Sequence, residues 1–421
     1  MSPLRVLFVC NGHPALDPSE ASWGAHDLYQ ALREQGELEP MLLACTSASA
    51  RTPSGEVRLQ GIGRSADEAL LPVGDFDPVM LAARDGSAAL KVFADLLAQF
   101  RPHIIHFHNF RRLGLEALVV VRRIRPQARI VATLSDHDLI CANDGQMVTT
   151  AGAPCAGASL DACRRCLKDA SSADLVAREL HVRNLVSLID RFVTPNRSLR
   201  ERLLAWGAPR GKVQTIPYGL ADRLPAVPPR ADQPRRSFGI FAPIAPDSGL
   251  MCALAAAHLL KEQGSEAALR IHALTQPEAG DFADQFMACV AQAASVASYA
   301  GPCRRDELPA LMARTDWVLV PTLKPADASA IILEAFQAGR PVIAADTDAV
   351  QEMVRDGVNG LLFQRGDAGD LARTMRRAAS EDGLWERLSA AIPPLPSLAE
   401  AVDRHLALYN ALLRARELAP V

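Results

Sequence analysis

Three groups of residues have types and spacings that can do chemistry. The first lies in Pro321 to Ala345, PTLKPADASAIILEAFQAGRPVIAA. Ser329 reads as an N-cap, Ala330 to Ala338 favour helix, Gly339 suits its stop, and Pro341 precedes a strand. A short helix starting just beyond a strand points its first-turn amides, those of Ser329, Ala330 and Ile331, at an anion. Glu334, about one turn in, can accept two hydroxyl hydrogen bonds, so a phosphorylated ribose would satisfy both features. An ordinary βα unit with a surface glutamate fits the same residues.

The second group is histidines. His106 and His108 alternate along an apolar strand that ends at Asn109, which puts both rings on one face. That face borders a ligand cleft in one reading and holds a buried, hydrogen-bonded pair in the other. His137 sits in SDHD, where Asp136 and Asp138 would favour the imidazolium and aim it at a sugar hydroxyl or a departing phosphate. A solvated turn histidine is the competing account. The third group, Cys141, Cys155, Cys163 and Cys166, reads C-x13-C-x7-C-x2-C in a stretch rich in Gly, Ala, Asn and Asp. Four thiolates would close a tetrahedral structural zinc site and steady an insert, residues 141–170, that lacks a core. Unliganded thiols are the alternative, and disulfides suit the compartment poorly.

The elements that must position these groups follow from periodicity. A chain of 421 residues is too long for one core, and two domains are expected. In the first half, short β-branched runs (RVLFV, MLLA, IIHFH, RIVATL) alternate with amphipathic stretches, which implies a doubly wound parallel sheet covered on both faces. Pro225 to Arg236, PAVPPRADQPRR, has four prolines and no hydrophobic period and reads as a linker. A second βα series runs from SFGIFAPI to PVIAAD. After a proline-rich break at 393–396, LAEAVDRHLALYNALLRARE resumes helical spacing. The expected boundaries are 1–224, the linker 225–236, 237–392, and a terminal helix in 393–421.

Composition excludes several classes. Net charge is −3, so no global field would gather nucleic acid. No apolar run reaches the roughly 18–20 residues of a membrane span. Val6 to Cys10 is too short for a signal-peptide core and reads as a first strand, which places the chain in the cytoplasm. Neither G-x-G-x-x-G nor a full Walker A loop occurs, and GAPRGKV at 207–213 has the wrong spacing, which weakens dehydrogenase and kinase readings. Arg111, Arg112, Arg122, Arg123 and Arg125 bracket an apolar helix from Leu113 to Ile124. Contact with anionic lipid at the inner membrane face suits them, but favourable interaction with the helix dipole is the cheaper account.

The sequence resembles the retaining glycosyltransferases of family four, which have the GT-B fold. The resemblance rests on LEAFQAGRPVIA, VQEMVRDGVNGLLFQRGDAGDLA, VTPNRSLRERLLAWGAPRGKVQTIPYGL, and RPHIIHFHN followed by TLSDHDLIC, in family order over most of the chain. It implies two Rossmann-like domains facing a cleft, with the terminal helix crossing back to the first. It also implies a nucleoside diphosphate sugar on the C-terminal side, a glycan or lipid-linked acceptor on the N-terminal side, and no catalytic metal. A cysteine-bearing insert after the SDHD turn occurs in some members.

Several positions depart from the family pattern. The second of its two glutamates falls on Glu334, but the first falls on Ala326, beside Asp327. The cations of its G-R-x-x-x-x-K-G loop correspond to Pro243 and Ser248 in GIFAPIAPDSG, with Lys324 as the candidate substitute. Its His-Asp pair becomes Ser135-Asp136 with His137 one place late, and its paired glycines become Ser19-Glu20. The implied roles are therefore Glu334 on the ribose, Ser329, Ala330, Ile331, Ser248 and Lys324 on the diphosphate, and Asp327, Asp136 and His137 at the reacting centre. Ser19, Glu20, His108 and Asn109 fall to the acceptor side. Losing two cations removes charge-assisted hydrogen bonds of about 1.5–3 kcal/mol each. A second function class therefore stands beside the enzyme: a glycosyltransferase-like protein that binds nucleotide or glycan, or acts with a protein partner, without catalysis of its own.

Overall fold

The computed structural model describes residues 3–17, 19–46, 57–63, 65–84, 86–150, 153–221, 235–275, 280–324 and 329–417. Two compact units emerge, one of residues 1–221 with 396–421 and one of residues 222–395. The expected linker falls almost wholly outside the described residues.

In the first unit the strands are β1 (Leu4–Cys10), β2 (Leu38–Thr46), β3 (Gln60–Gly61), β4 (Glu68–Pro72), β5 (Phe76–Asp77), β6 (Ala82–Ala83), β7 (Ile104–His108), β8 (Arg129–Thr133), β9 (Arg191–Thr194) and β10 (Val213–Thr215). Eight of them form a sheet in the order β10-β9-β8-β7-β1-β2-β4-β3, parallel throughout except for β3, while β5 and β6 pair separately. Strands buried on both faces read as continuous apolar runs, which is why VLFVC and IIHFH carry no clean alternation. The helices are α1 (Glu20–Gln35), α2 (Ser87–Phe100), α3 (Glu116–Ile124), α4 (Leu160–Cys166), α5 (Ser172–Val186) and α6 (Arg197–Trp206).

The second unit has a six-stranded parallel sheet in the order β13-β12-β11-β14-β15-β16. Its strands are β11 (Ser237–Ala242), β12 (Ala268–Ala273), β13 (Ala297–Pro302), β14 (Trp317–Val320), β15 (Val342–Ala345) and β16 (Gly360–Phe363). Its helices are α7 (Leu250–Glu262), α8 (Asp281–Gln292), α9 (Leu308–Met312), α10 (Ser329–Gln337), α11 (Asp348–Gln351), α12 (Ala368–Ser380) and α13 (Leu384–Ala390). Buried residues of α7, α8, α12 and α13 share one apolar cluster with this sheet.

The last helix, α14 (Leu398–Glu417), belongs to the first unit. Its Val402, Leu408, Tyr409 and Leu412 share a core with Val6, Phe8, Leu28 and Tyr29 of β1 and α1. The incoming strand-like segment is held by Leu220 N–H to Pro396 O at 3.0 Å and Leu398 N–H to Leu220 O at 2.9 Å. Gly219 permits that approach, because a Cβ there would lie 2.3 Å from the Ser397 carbonyl oxygen. The proline break thus ends one unit's chain path and seeds the helix that completes the other.

Candidate active site

In an open α/β sheet, ligands bind beyond the carboxyl ends of the strands where the strand order reverses. In the second unit that reversal lies between β11 and β14. The two loops that leave these strands touch directly. Leu323 N–H donates to Asp247 O at 2.8 Å, and Gly249, at φ 77°, lies so close to Pro321 that a Cβ would stand 1.9 Å from its carbonyl oxygen. The glycine is required twice, by its left-handed conformation and by the absence of a side chain. Lys324 Nζ reaches across to Asp247 Oδ2 at 2.7 Å. The candidate replacement cation is therefore paired with the carboxylate next to Ser248 in the chain.

Ser248 itself is turned inward. Its hydroxyl donates to Ala245 O at 2.6 Å, so that proton is directed into the loop. The helix α10 begins at Ser329, one residue earlier than the cap assignment expects, and Gly339 at φ 70° ends it. Ser329 and Ile331 are buried. Glu334 is only 1% exposed, which corrects the surface-glutamate reading, and its Oε1 accepts from Arg305 Nε at 3.1 Å. Ala326 and Asp327 lie outside the described residues.

The first unit reverses its strand order between β1 and β7, where Cys10 pairs with His108. Asn109, at φ 62°, donates from Nδ2 to Ser135 Oγ at 2.7 Å and accepts from Ser135 N–H at 2.9 Å, which joins the loops after β7 and β8. Ser19 caps α1: its hydroxyl accepts from Ser22 N–H, and Ser22 Oγ accepts from Ser19 N–H at 2.8 Å. Glu20 opens that helix, and its side chain lies outside the described part.

His137 is buried. Asp138 is bound by Arg111 through Nε at 2.5 Å and Nη2 at 2.8 Å, and Asp136 Oδ1 accepts from Asp138 N–H at 3.0 Å. Asp138 is thus committed to Arg111, which also pairs with Asp144 at 2.6 Å. Arg122 and Arg123 lie in the last turn of α3, where the helix dipole favours cations. Arg112 donates to Asn11 O and Asp17 in the loop after β1, at 2.7 and 2.6 Å, and Arg122 pairs with Asp190 at 2.7 Å. The helix starts only at Glu116, because Arg112 and Gly114 take left-handed conformations in the preceding turn. Sequence reasoning missed Arg112 as a loop anchor, and no spacing distinguishes it from Arg111.

Behind these loops lies a cluster of buried imidazoles. His106 shares 2.7 Å hydrogen bonds with Tyr409 OH and Thr133 Oγ1, so the hydrogen-bonded alternative holds for that residue. The His108 ring lies tilted beside it with centroids 4.3 Å apart, is 2% exposed, and has neither ring nitrogen hydrogen-bonded. It borders a cavity of about 20 Å³ with His405, Thr133 and Tyr218, room for a single water rather than a sugar. Burial holds all three imidazoles far below their ordinary range: His108 at about 3, His405 at about 4, and His106 well below ordinary too.

Among the described residues, no three of the four cysteine sulfurs lie within 4.8 Å of one another. Cys163 and Cys166 lie on the regular helix α4 rather than in an irregular loop. Burial raises the Cys141 and Cys163 thiols above their ordinary range. Among the described residues, the one group of three metal-ligand side chains with donor atoms within 4.8 Å is His13, His26 and Glu68. There His13 Nδ1 accepts from Ala15 N–H at 3.2 Å, which leaves the proton on the Nε2 that faces Glu68 at 3.0 Å. A metal-bound histidine needs the opposite tautomer, so this group is a hydrogen-bonded tie between β4 and the loop after β1.

Residues 235–381 match the family model described as glycosyl transferases group 1, and residues 21–219 match the glycosyl transferase 4-like domain. The D-inositol 3-phosphate glycosyltransferase of Streptomyces bingchenggensis is 34% identical over 94 residues, covering 21% of this chain and 19% of that protein. The phosphatidyl-myo-inositol mannosyltransferase of Mycobacterium leprae is 35% identical over 96 residues, 23% of this chain and 24% of that protein. The matched stretch thus spans about a fifth to a quarter of those relatives. Among solved structures, the sucrose-phosphate synthase of Thermosynechococcus elongatus superposes with a TM-score of 0.70 at 16% identity over 98% of this chain and 100% of that one. HepE of Anabaena, crystallised with UDP and glucose, gives 0.67 at 15% identity over 97% and 100%. With both units matched by family models and both sheets of the Rossmann-like, parallel type, the chain belongs to the group 1, 4-like glycosyl transferases and has the GT-B fold.

Proposed function

We propose that the protein transfers a sugar from a nucleoside diphosphate sugar to a hydroxyl of a glycan or lipid-linked acceptor, with retention of configuration, in the assembly of a cell-surface polysaccharide or glycoconjugate. The observation that carries this is the buried carboxylate of Glu334 on α10, the helix that leaves the strand-order reversal of the second unit. First-turn amides of α10 suit a diphosphate, Lys324 adds a cation, and Glu334 accepts from the ribose. Catalysis then consists of stabilising the departing diphosphate and placing the acceptor hydroxyl. The acceptor class agrees with the inositol-phosphate and phosphatidylinositol acceptors named for the relatives. No described helix is long and apolar enough to cross a membrane.

Calorimetric titration with UDP, GDP, ADP and dTDP tests the donor site. One nucleotide should bind at micromolar concentration, and Glu334→Ala should weaken it at least tenfold, about 1.4 kcal/mol. Equal affinity in the variant would remove Glu334 from the site.

The inward-turned Ser248 hydroxyl and the carboxylate of Asp247 beside it favour a second reading, in which the chain binds donor too weakly to catalyse alone and acts with a partner. Ser248→Lys combined with Ala326→Glu separates the two. A weakened enzyme gains transferase activity from the pair, whereas a binding protein stays inactive.

A further inference from the structure

The second unit holds a largely buried cation that neither the family motifs nor the sequence pattern assigns. Arg304 and Arg305 are adjacent in the turn between β13 and α9, yet they behave differently. Arg304 lies in solvent and forks onto Asp306 at 2.9 and 2.6 Å. Arg305 is turned inward, its side chain 17% exposed, with Nε 3.1 Å from Glu334 Oε1. The turn that presents it is fixed, because Arg304 N–H donates to Glu307 Oε2 at 2.7 Å and α9 packs against α10.

A carboxylate on a helix has free χ angles, and holding two ribose hydroxyls requires its plane to be set before the ligand arrives. A guanidinium is a rigid planar fork whose bond to one oxygen fixes the orientation of the other, which an ammonium point charge does less well. We propose that Arg305 is a positioning residue of the donor site, orienting the Glu334 carboxylate so that the ribose hydroxyls are recognised. This rests on the reading of Glu334 as the ribose acceptor.

The test compares UDP, ADP and GDP with their 2′-deoxy counterparts by calorimetry, on the full chain and on Glu334→Gln, Arg305→Gln and Arg305→Lys, with thermal unfolding as the check on folding. The expected wild-type preference for the ribonucleotide is at least about tenfold, and Glu334→Gln removes it. Arg305→Gln should reduce that preference to within about threefold, weakening the ribonucleotide more than the deoxynucleotide, which keeps only its 3′ hydroxyl for Glu334, and Arg305→Lys should recover part of it. A variant that keeps the full preference, or loses affinity for both nucleotides equally, overturns the positioning role. If Arg305→Gln does not fold, Arg305→Lys decides on the same ratio. A wild-type protein with no ribose preference, or a Glu334→Gln variant that retains it, fails the reading of Glu334 first and takes the proposal with it.

Discussion

Lowering the pH from 7 to 5 should destabilise the first unit by several kcal/mol. His106, His108 and His405 are buried as neutral imidazoles, with folded-state values of about 3 for His108 and about 4 for His405, and well below ordinary for His106. Their hydrogen-bond partners are Tyr409, Thr133 and the Ala401 carbonyl, none of which is an acid. In the unfolded chain each histidine titrates near its ordinary value of about 6.5. Between the two values the unfolded state binds more protons, so stability is complete above about pH 6.5 and is lost as pH falls toward the folded-state values. At about pH 5 each group costs roughly 2 kcal/mol, and three approach the roughly 5–15 kcal/mol that holds a domain folded. Urea titrations read by pulsed hydrogen exchange can follow β1, β7 and α14 apart from the second unit. His405→Leu should flatten the pH dependence by about a third. A first-unit midpoint that stays put between pH 7 and 5 would show that protonation is accommodated without opening the helix.

The second large effect is expected from Gly249→Ala. Forcing an alanine into the left-handed region costs about 1–2 kcal/mol, and its methyl carbon would fall 1.9 Å from the Pro321 carbonyl oxygen. Backbone cannot swing aside as a flexible side chain does, so one switch-point loop must move and add about 1–3 kcal/mol of overpacking strain. Displacement separates Asp247 from Leu323 and Lys324. The thermal midpoint of the second unit should drop by several degrees, and nucleoside diphosphate affinity should fall by an order of magnitude or more. Gly264→Ala is the control: it has φ 73° and nothing within 4 Å of where the methyl would sit, so it carries the conformational strain without the clash. If both variants bind nucleotide equally, the close approach of the two loops is not what shapes the site.

The sequence showed the elements better than the contacts. RVLFV, IIHFH and WVLV are strands because parallel sheets bury both faces, and LAEAVDRHLALYNALLRARE is a helix over its full length. Glu334 was readable from its place one turn into a helix after a strand. Its partner Arg305 was not, since two consecutive arginines in a polar turn differ only in which of them the tertiary fold turns inward. Asp138 misled for a similar reason: adjacency to His137 suggested an electrostatic pair, but a bidentate arginine 27 residues earlier binds it. The cysteine spacing did not reveal that Cys163 and Cys166 lie on one helix, because C-x2-C is compatible with about one helical turn as well as with an irregular loop.

The first unit is assembled from two stretches of chain that are separated by all of the second. On a ribosome adding roughly 5–20 residues per second, the segment 222–395 emerges complete while the imidazole cluster of the first unit still lacks His405 and Tyr409. The apolar face of β1 and α1 that α14 covers must wait, exposed, for about 20 seconds or more after its own residues are made. The inserted unit is therefore expected to become protease-resistant first. A chain halted between residues 395 and 409 should leave an aggregation-prone first unit beside a finished second one.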